Sequence, residues 1–373
     1  MAAGPLISVV LPVYGVQEYL AGCLDSILGQ AGSDLEVVAV DDASPDGCGQ
    51  LLDARARRDP RLRVVHNEHA GGPGSARNIG LQLAAGEYVW FIDGDDMAAD
   101  GAVEAITAHL AADRPDVLLI DYENLFPDGR ATASPGAALL RAAPAGPFTL
   151  AEQPQLIQLT MTSWSKVFRR AFLAGLGVTF PPGIHEDVLV TCAALLEARR
   201  ISALARVCYR YRRGRRGSFM ATTSDAHFAV FDAYEQVFDF HSKRDSPASA
   251  GPPGRLAAAL FDRAIWHYST VLQTGGLGLG PLGRGGLVPR RERRRFFERM
   301  HADFVRYAPP GYRHPAGARG AKFRLIERDA YWAYELLEPL NRSRVALRSM
   351  ISARRRTARS RSSRSAPSSR HPG

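Results

Sequence analysis

Five short apolar runs, Ile7–Leu11, Leu35–Val40, Leu62–Val65, Tyr88–Ile92 and Val117–Ile120, recur every 25–30 residues through the first third of the chain. Between the first two, Leu20, Leu24, Ile27 and Leu28 fall at helical spacing, and further helical stretches open after Asp46 and after Pro73. The alternation predicts βα units joined by right-handed crossovers, hence an α/β chain with a mostly parallel sheet flanked by helices. Tyr88–Ile92 is apolar at every position, as expected of a strand covered on both faces.

The pattern then loosens. Pro127 to Pro147 is rich in Ala, Gly and Pro and reads as a long surface loop. Residues 148–217 return to mixed structure, and a second breaker run covers Ser246–Gly254. Helical periodicity resumes in Arg255–Gln273, Arg290–Arg306 and Lys322–Leu340, while Gly275–Gly286 is too glycine-rich to form an element. The predicted organisation is an α/β domain over residues 4–240, a helical extension over 255–341 and a tail over 342–373.

Charge sharpens that division. The tail holds ten Arg and no Lys, Asp or Glu, so it carries +10 of a net +9 and leaves residues 1–341 at −1. Such an Arg/Ser-rich segment is expected to be disordered. It is either a solvated extension or a surface for peripheral contact with anionic membrane; nucleic acid is not expected as a partner. At 46% hydrophobic content the chain can bury one large core or two smaller ones. Cys23, Cys48, Cys192 and Cys208 show no Cys-x-x-Cys spacing, which fits a reduced, cytoplasmic setting. No signal-peptide pattern is present, and no run reaches the ~18 apolar residues of a membrane span.

Candidate chemistry gathers at the strand ends. In an open α/β sheet, ligands bind beyond the carboxyl ends of the strands. Those ends carry Pro12-Val13-Tyr14, Asp41-Asp42, Asn67 with Gly71-Gly72-Pro73-Gly74, and Asp93-Gly94-Asp95. Tyr14 can lie against a base, Asp42 can accept the N3–H of a uracil, and Arg77 near a helix start can approach phosphates. Two carboxylates flanking a glycine suit a divalent metal that holds a diphosphate.

The strings Ser8–Tyr14, Val40–Ser44, Ala76-Arg77-Asn78 and Phe91–Asp96 together resemble glycosyltransferase family 2. The pattern is most similar to actinobacterial modules often fused to glycerophosphotransferases of teichoic-acid type. The resemblance continues to about residue 240 through Trp164-Ser165-Lys166 and His185-Glu186-Asp187. It implies the GT-A fold and inverting transfer of a hexosyl or N-acetylhexosaminyl group from a nucleotide sugar. By the same resemblance Pro12, Tyr14, Asp42, Asn67 and Arg77 line the nucleotide site, and Asp93 meets ribose or diphosphate. Asp95 would bind Mg²⁺ or Mn²⁺, and Asp187 of the Glu186-Asp187 pair would be the general base.

Several assignments stay open at this level. Glu186-Asp187 is either that catalytic pair or a helix N-cap with an acidic first turn. Ser218 or one of Arg212, Arg213, Arg215 and Arg216 closes over the donor diphosphate, or the run is plain surface charge. His185 and His227 either complete a metal shell or are structural, and Trp164 either stacks on an acceptor sugar or fills the core beside Phe168 and Phe172. The Gln-x-x-Arg-Trp motif of processive synthases is missing. The expected donor is a UDP-sugar and the expected acceptor a cell-envelope glycan or polyol-phosphate polymer at the inner membrane face. The rival readings are a nucleotidyltransferase and a catalytically silent binding module.

Overall fold

The computed structural model of the chain describes residues 5–30, 34–215, 222–244, 254–273 and 287–337. Strands β1 (Ile7–Val13), β2 (Leu35–Asp41), β3 (Leu62–His66) and β4 (Tyr88–Phe91) alternate with helices α1 (Gln17–Leu28), α2 (Cys48–Ala56) and α3 (Gly72–Leu83). They stand in the order β3-β2-β1-β4, all parallel, so the apolar runs produced the expected βα units. Alternate residues of β1 supply opposite faces: Val9 and Leu11 join one apolar cluster while Val10 joins the other.

Past β4 the sheet becomes mixed and reaches nine strands. The two-residue β5 (Met97–Ala98) precedes α4 (Ala102–Asp113) and the long β6 (Val117–Leu125). Next come β7 (Ala131–Ala133), α5 (Ala137–Arg141), β8 (Lys166–Arg169), α6 (Arg170–Gly175), α7 (Asp187–Glu197) and β9 (Ile201–Arg212). β8 slots antiparallel between β4 and β6, β9 runs parallel to β6, and β5 closes the edge antiparallel to β9. Pro127–Pro147 is therefore more than a loop. It holds β7 and α5, and Ala137 and Leu140 on α5 are buried.

Four further helices, α8 (Ala229–Ser242), α9 (Arg255–Gln273), α10 (Arg293–Tyr307) and α11 (Gly317–Glu327), complete the described fold together with a short helix over 331–337. The predicted Lys322–Leu340 helix is broken at Asp329, whose φ of 51° is left-handed. Helices α1 and α4 cover one face of the sheet, and α7 with α8–α11 covers the other. α7 lies deepest there, with Val188 to Leu196 buried without exception. The glycine-rich segment Gly275–Gly286 and the tail 342–373 lie outside the described residues, as does most of Ser246–Gly254. All four cysteines are free and buried. Among the described residues no helix is long and apolar enough to cross a membrane.

Candidate active site

The acidic turn after β4 is held from below. The Asp96 N–H donates to the Asp93 carbonyl at 3.0 Å, closing the turn. Asp96 is fully buried, and its carboxylate accepts from the Tyr209 hydroxyl (2.6 Å) and the Arg212 N–H (2.7 Å). The Tyr209 oxygen in turn accepts from the Asp93 N–H at 3.3 Å. Burial and the neighbouring Asp95 and Asp93 charges push the Asp96 carboxyl well above the usual range. Asp96 thus fixes the turn to β9 and leaves Asp93 and Asp95 to face outward. No sequence signal separated its anchoring role from theirs.

Asp95 accepts from Arg215 Nε at 2.6 Å. Burial and the Asp93 charge raise its carboxyl, with Arg215 opposing them. Two carboxylate side chains flanking Gly94 have the donor chemistry a hard dication takes, though each is paired with an arginine here. Among the described residues no three His, Cys, Asp or Glu side chains converge as a complete metal cage. Mg²⁺ generally takes one or two carboxylates from a protein and relies on substrate phosphates and water for the rest. Asp95 would hold the ion, and Arg215 would have to give up its contact to admit it.

Arg77, expected to line the nucleotide site, is held between two carboxylates. Its Nη2 donates to Asp93 Oδ1 at 2.7 Å, its Nη1 to Glu186 Oε1, and its guanidinium lies 5.7 Å from the Phe180 ring centroid. The side chain is 4% exposed and its Nε has no partner. The approach depends on Gly74, where a Cβ would fall 2.5 Å from the Pro181 carbonyl oxygen. Arg77 is therefore a strut between the acidic turn and the start of α7. The sequence could not reveal this, because Glu186 is 109 positions away.

Glu186 and Asp187 stand at the N-cap position and in the first turn of α7. Glu186 occupies the N-cap position but makes no side-chain cap hydrogen bond. Asp187 Oδ2 accepts from the Ser163 N–H (3.2 Å) on a different segment. Burial, then the adjacent Glu186 charge, push the Asp187 carboxyl up, while Arg77 opposes them. His185, just before, is buried with a left-handed φ of 62°, a strained backbone for a non-glycine residue. Its Nε2 lies 3.4 Å from His227 Nδ1, and His227 Nε2 lies 3.0 Å from the Thr222 carbonyl. The His267 ring of α9 packs edge-on against His185. The contacts of His185 and His227 are thus with one another, Thr222 and α9.

On the donor side, Gly94 packs against the Pro12 carbonyl, so the acidic turn adjoins the β1 tip. Tyr14 is exposed beside it. Asp42 is buried and well used: it accepts from Asn67 Nδ2 (2.7 Å), the Gly71 N–H (2.9 Å) and the Gly72 N–H (2.7 Å). Any uracil N3–H would share a carboxylate that already shapes the turn into α3. A cleft of about 870 Å³ lies alongside, lined by Gly15, Tyr19, Asp46, Gly214 and Arg215 among others. Ser218 and Arg216 lie outside the described residues. Trp164 belongs to the core, in different company from that expected. It stacks on Tyr209 (4.5 Å between centroids) and Tyr211 (5.3 Å), with Tyr122 edge-on, on the sheet face opposite Phe168.

Residues 8–173 match the model of the family described as Glycosyl transferase family 2. The chain is 30% identical over 216 residues to the uncharacterized glycosyltransferase EpsJ of Bacillus subtilis, an alignment covering 56% of this chain and 61% of EpsJ. It is 34% identical over 233 residues to the poly(ribitol-phosphate) beta-N-acetylglucosaminyltransferase TarS of Staphylococcus aureus, covering 61% of this chain and 38% of TarS. It thus spans less than two thirds of either relative. The crystal structure of S. aureus TarS 1–349 with UDP-GlcNAc shares the fold, with a TM-score of 0.67 at 23% identity over 90% of this chain and 91% of that one.

Proposed function

Because residues 8–173 form a domain of glycosyl transferase family 2, we propose that this chain transfers a sugar, with inversion, from a UDP-sugar to a hydroxyl of a cell-envelope acceptor. A polyol-phosphate polymer is the best acceptor class, in keeping with the similarity to TarS. One observation supports a single-displacement site above the others. Arg77 ties Asp93, on the donor side, to Glu186, beside Asp187. A carboxylate for the acceptor and a turn for the donor are thereby held as one unit.

In this reading Tyr14 and Pro12 border the base, and Asn67 and Asp42 shape the adjoining loop. Asp93 faces ribose or diphosphate. A dication at Asp95, when bound, neutralises charge on the departing diphosphate. Asp187 takes the proton from the acceptor hydroxyl as its oxygen bonds to the anomeric carbon. The bond from that carbon to the diphosphate oxygen breaks, and UDP leaves with the electron pair. A carboxyl held above its usual range is a better proton acceptor near neutral pH than an ordinary one. The Arg-rich segment 342–373 would hold the enzyme near anionic lipid at the inner membrane face.

The test is UDP release from UDP-sugars with Mn²⁺ and a polyol-phosphate acceptor, alongside UDP-sugar affinity. Asp187→Asn should leave Kd nearly unchanged and lower kcat by ~10²–10⁴-fold. Wild-type kcat/KM should fall as pH drops through the raised Asp187 value, above the ordinary carboxylate range. Pyrophosphate release would indicate nucleotidyl transfer instead, and binding without any release a silent module.

A further inference from the structure

Lys166, at the start of β8, is the least expected buried charge in the molecule. Its side chain is fully buried, and among the described residues it makes no ion pair within 4.0 Å. Its Nζ instead faces three acceptors: the Thr160 carbonyl (2.8 Å), the Thr162 carbonyl (2.9 Å) and Ser165 Oγ (3.1 Å). Ser165 Oγ also lies 3.1 Å from the Thr162 carbonyl and 2.9 Å from Thr162 Oγ1, so a network of hydroxyls and carbonyls closes around Nζ. The two carbonyls can only accept, so Nζ must donate to both, and an ammonium offers a third donor for Ser165 Oγ.

The loop gathered around this ammonium carries the contact to Asp187. The Lys166 N–H donates to the Ser163 carbonyl (3.2 Å), and the Ser163 N–H donates to Asp187 Oδ2 (3.2 Å). We propose that Lys166 is a positioning residue for sugar transfer: its Nζ draws residues 160–165 together and so aims the Ser163 N–H at Asp187. This rests on the reading of Asp187 as the base.

The charges around the pair are few. Glu186 on α7, Arg77 on α3 and Asp93 after β4 act on Asp187 with Lys166. Tyr234 on α8 feels the Asp187 charge, and Cys192 on α7 and Arg263 on α9 act on Lys166. Burial presses Lys166 down to about 7, and the Asp187 charge is the first influence opposing it. An uncompensated ammonium is costly in a dry interior.

The test uses Lys166→Met, which keeps length and removes charge. The expected result is kcat lower by tenfold or more, donor Kd within about twofold, and the acid limb of kcat/KM displaced upward by about one pH unit as Asp187 loses the Ser163 N–H that favours its charged form. Lys166→Met on an Asp187→Asn background should add less than about threefold, because both act through one group. A purely structural role predicts independent, multiplying losses and an unmoved acid limb, and either would overturn the proposal. If Lys166→Met does not fold, Ser165→Ala removes one acceptor of the ammonium and should move the same limb in the same direction; no movement there also overturns it. Full activity of Asp187→Asn would instead remove the base assignment itself. That outcome is distinct from an Asp187→Asn loss with an unmoved limb in Lys166→Met.

Discussion

Arg77→Met tests the strut directly. Arg77 is 4% exposed and is shared by Glu186, 11% exposed, and Asp93, 27% exposed. Removing one partner of a buried ion pair costs roughly 3–5 kcal/mol, mostly because a charge remains without compensation. Asp93 can recover water, so the penalty falls on Glu186, and the lower end of that range, about 3 kcal/mol, is expected. Arg77→Met/Glu186→Gln removes the stranded charge and should recover most of the loss, leaving about 1 kcal/mol. Urea unfolding of wild type, both single variants and the double variant completes the cycle. Turnover should stay low in the double variant, because restoring stability does not restore the link between the acidic turn and α7. The reasoning fails if Arg77→Met costs less than about 1 kcal/mol, or if the double variant is no more stable than Arg77→Met.

Asp95→Asn should leave the fold intact while lowering sugar transfer by about a hundredfold or more. The rise in melting temperature on adding Mn²⁺ with UDP should shrink with it, and an unchanged rise would place the ion elsewhere. Deleting residues 342–373 should leave the melting temperature and activity on a soluble acceptor near wild type but weaken binding to anionic vesicles. Wild-type vesicle binding should fade with salt, since exposed charges are screened over ~8–10 Å; equal binding by the truncated chain would clear the tail of that role.

The first half of the fold was legible because each strand there is a continuous apolar run that needs cover on both faces. β8 was hidden for the opposite reason: four residues with Lys166 at one end and Arg169 at the other do not read as a central strand. β9 alternates Arg with Tyr near its end, a pattern that does not read as a buried strand. At the site, residue types and spacing pointed to the acidic turn and to Glu186-Asp187, but not to their connections. An arginine near a helix start suits a phosphate or a carboxylate equally well, and only the fold brings Glu186 to Arg77. Asp96 and Lys166 escaped for a related reason. An aspartate one position past a metal-type motif, or a lysine in an apolar stretch, shows its purpose only through partners such as Tyr209 and Thr160.

α7 has no outward side between its ends: from Val188 to Leu196 every residue is enclosed, and charge appears only at Glu186-Asp187 and Glu197. Such a helix works as the stator of a machine. To shift it by even part of a turn would disturb layers packed from both directions, so adjustment to an arriving acceptor must come from parts that can move at less cost. The Arg215 side chain, held to Asp95 through Nε, is such a part. Directed evolution toward new acceptors should accordingly collect changes around it and leave 188–196 almost untouched.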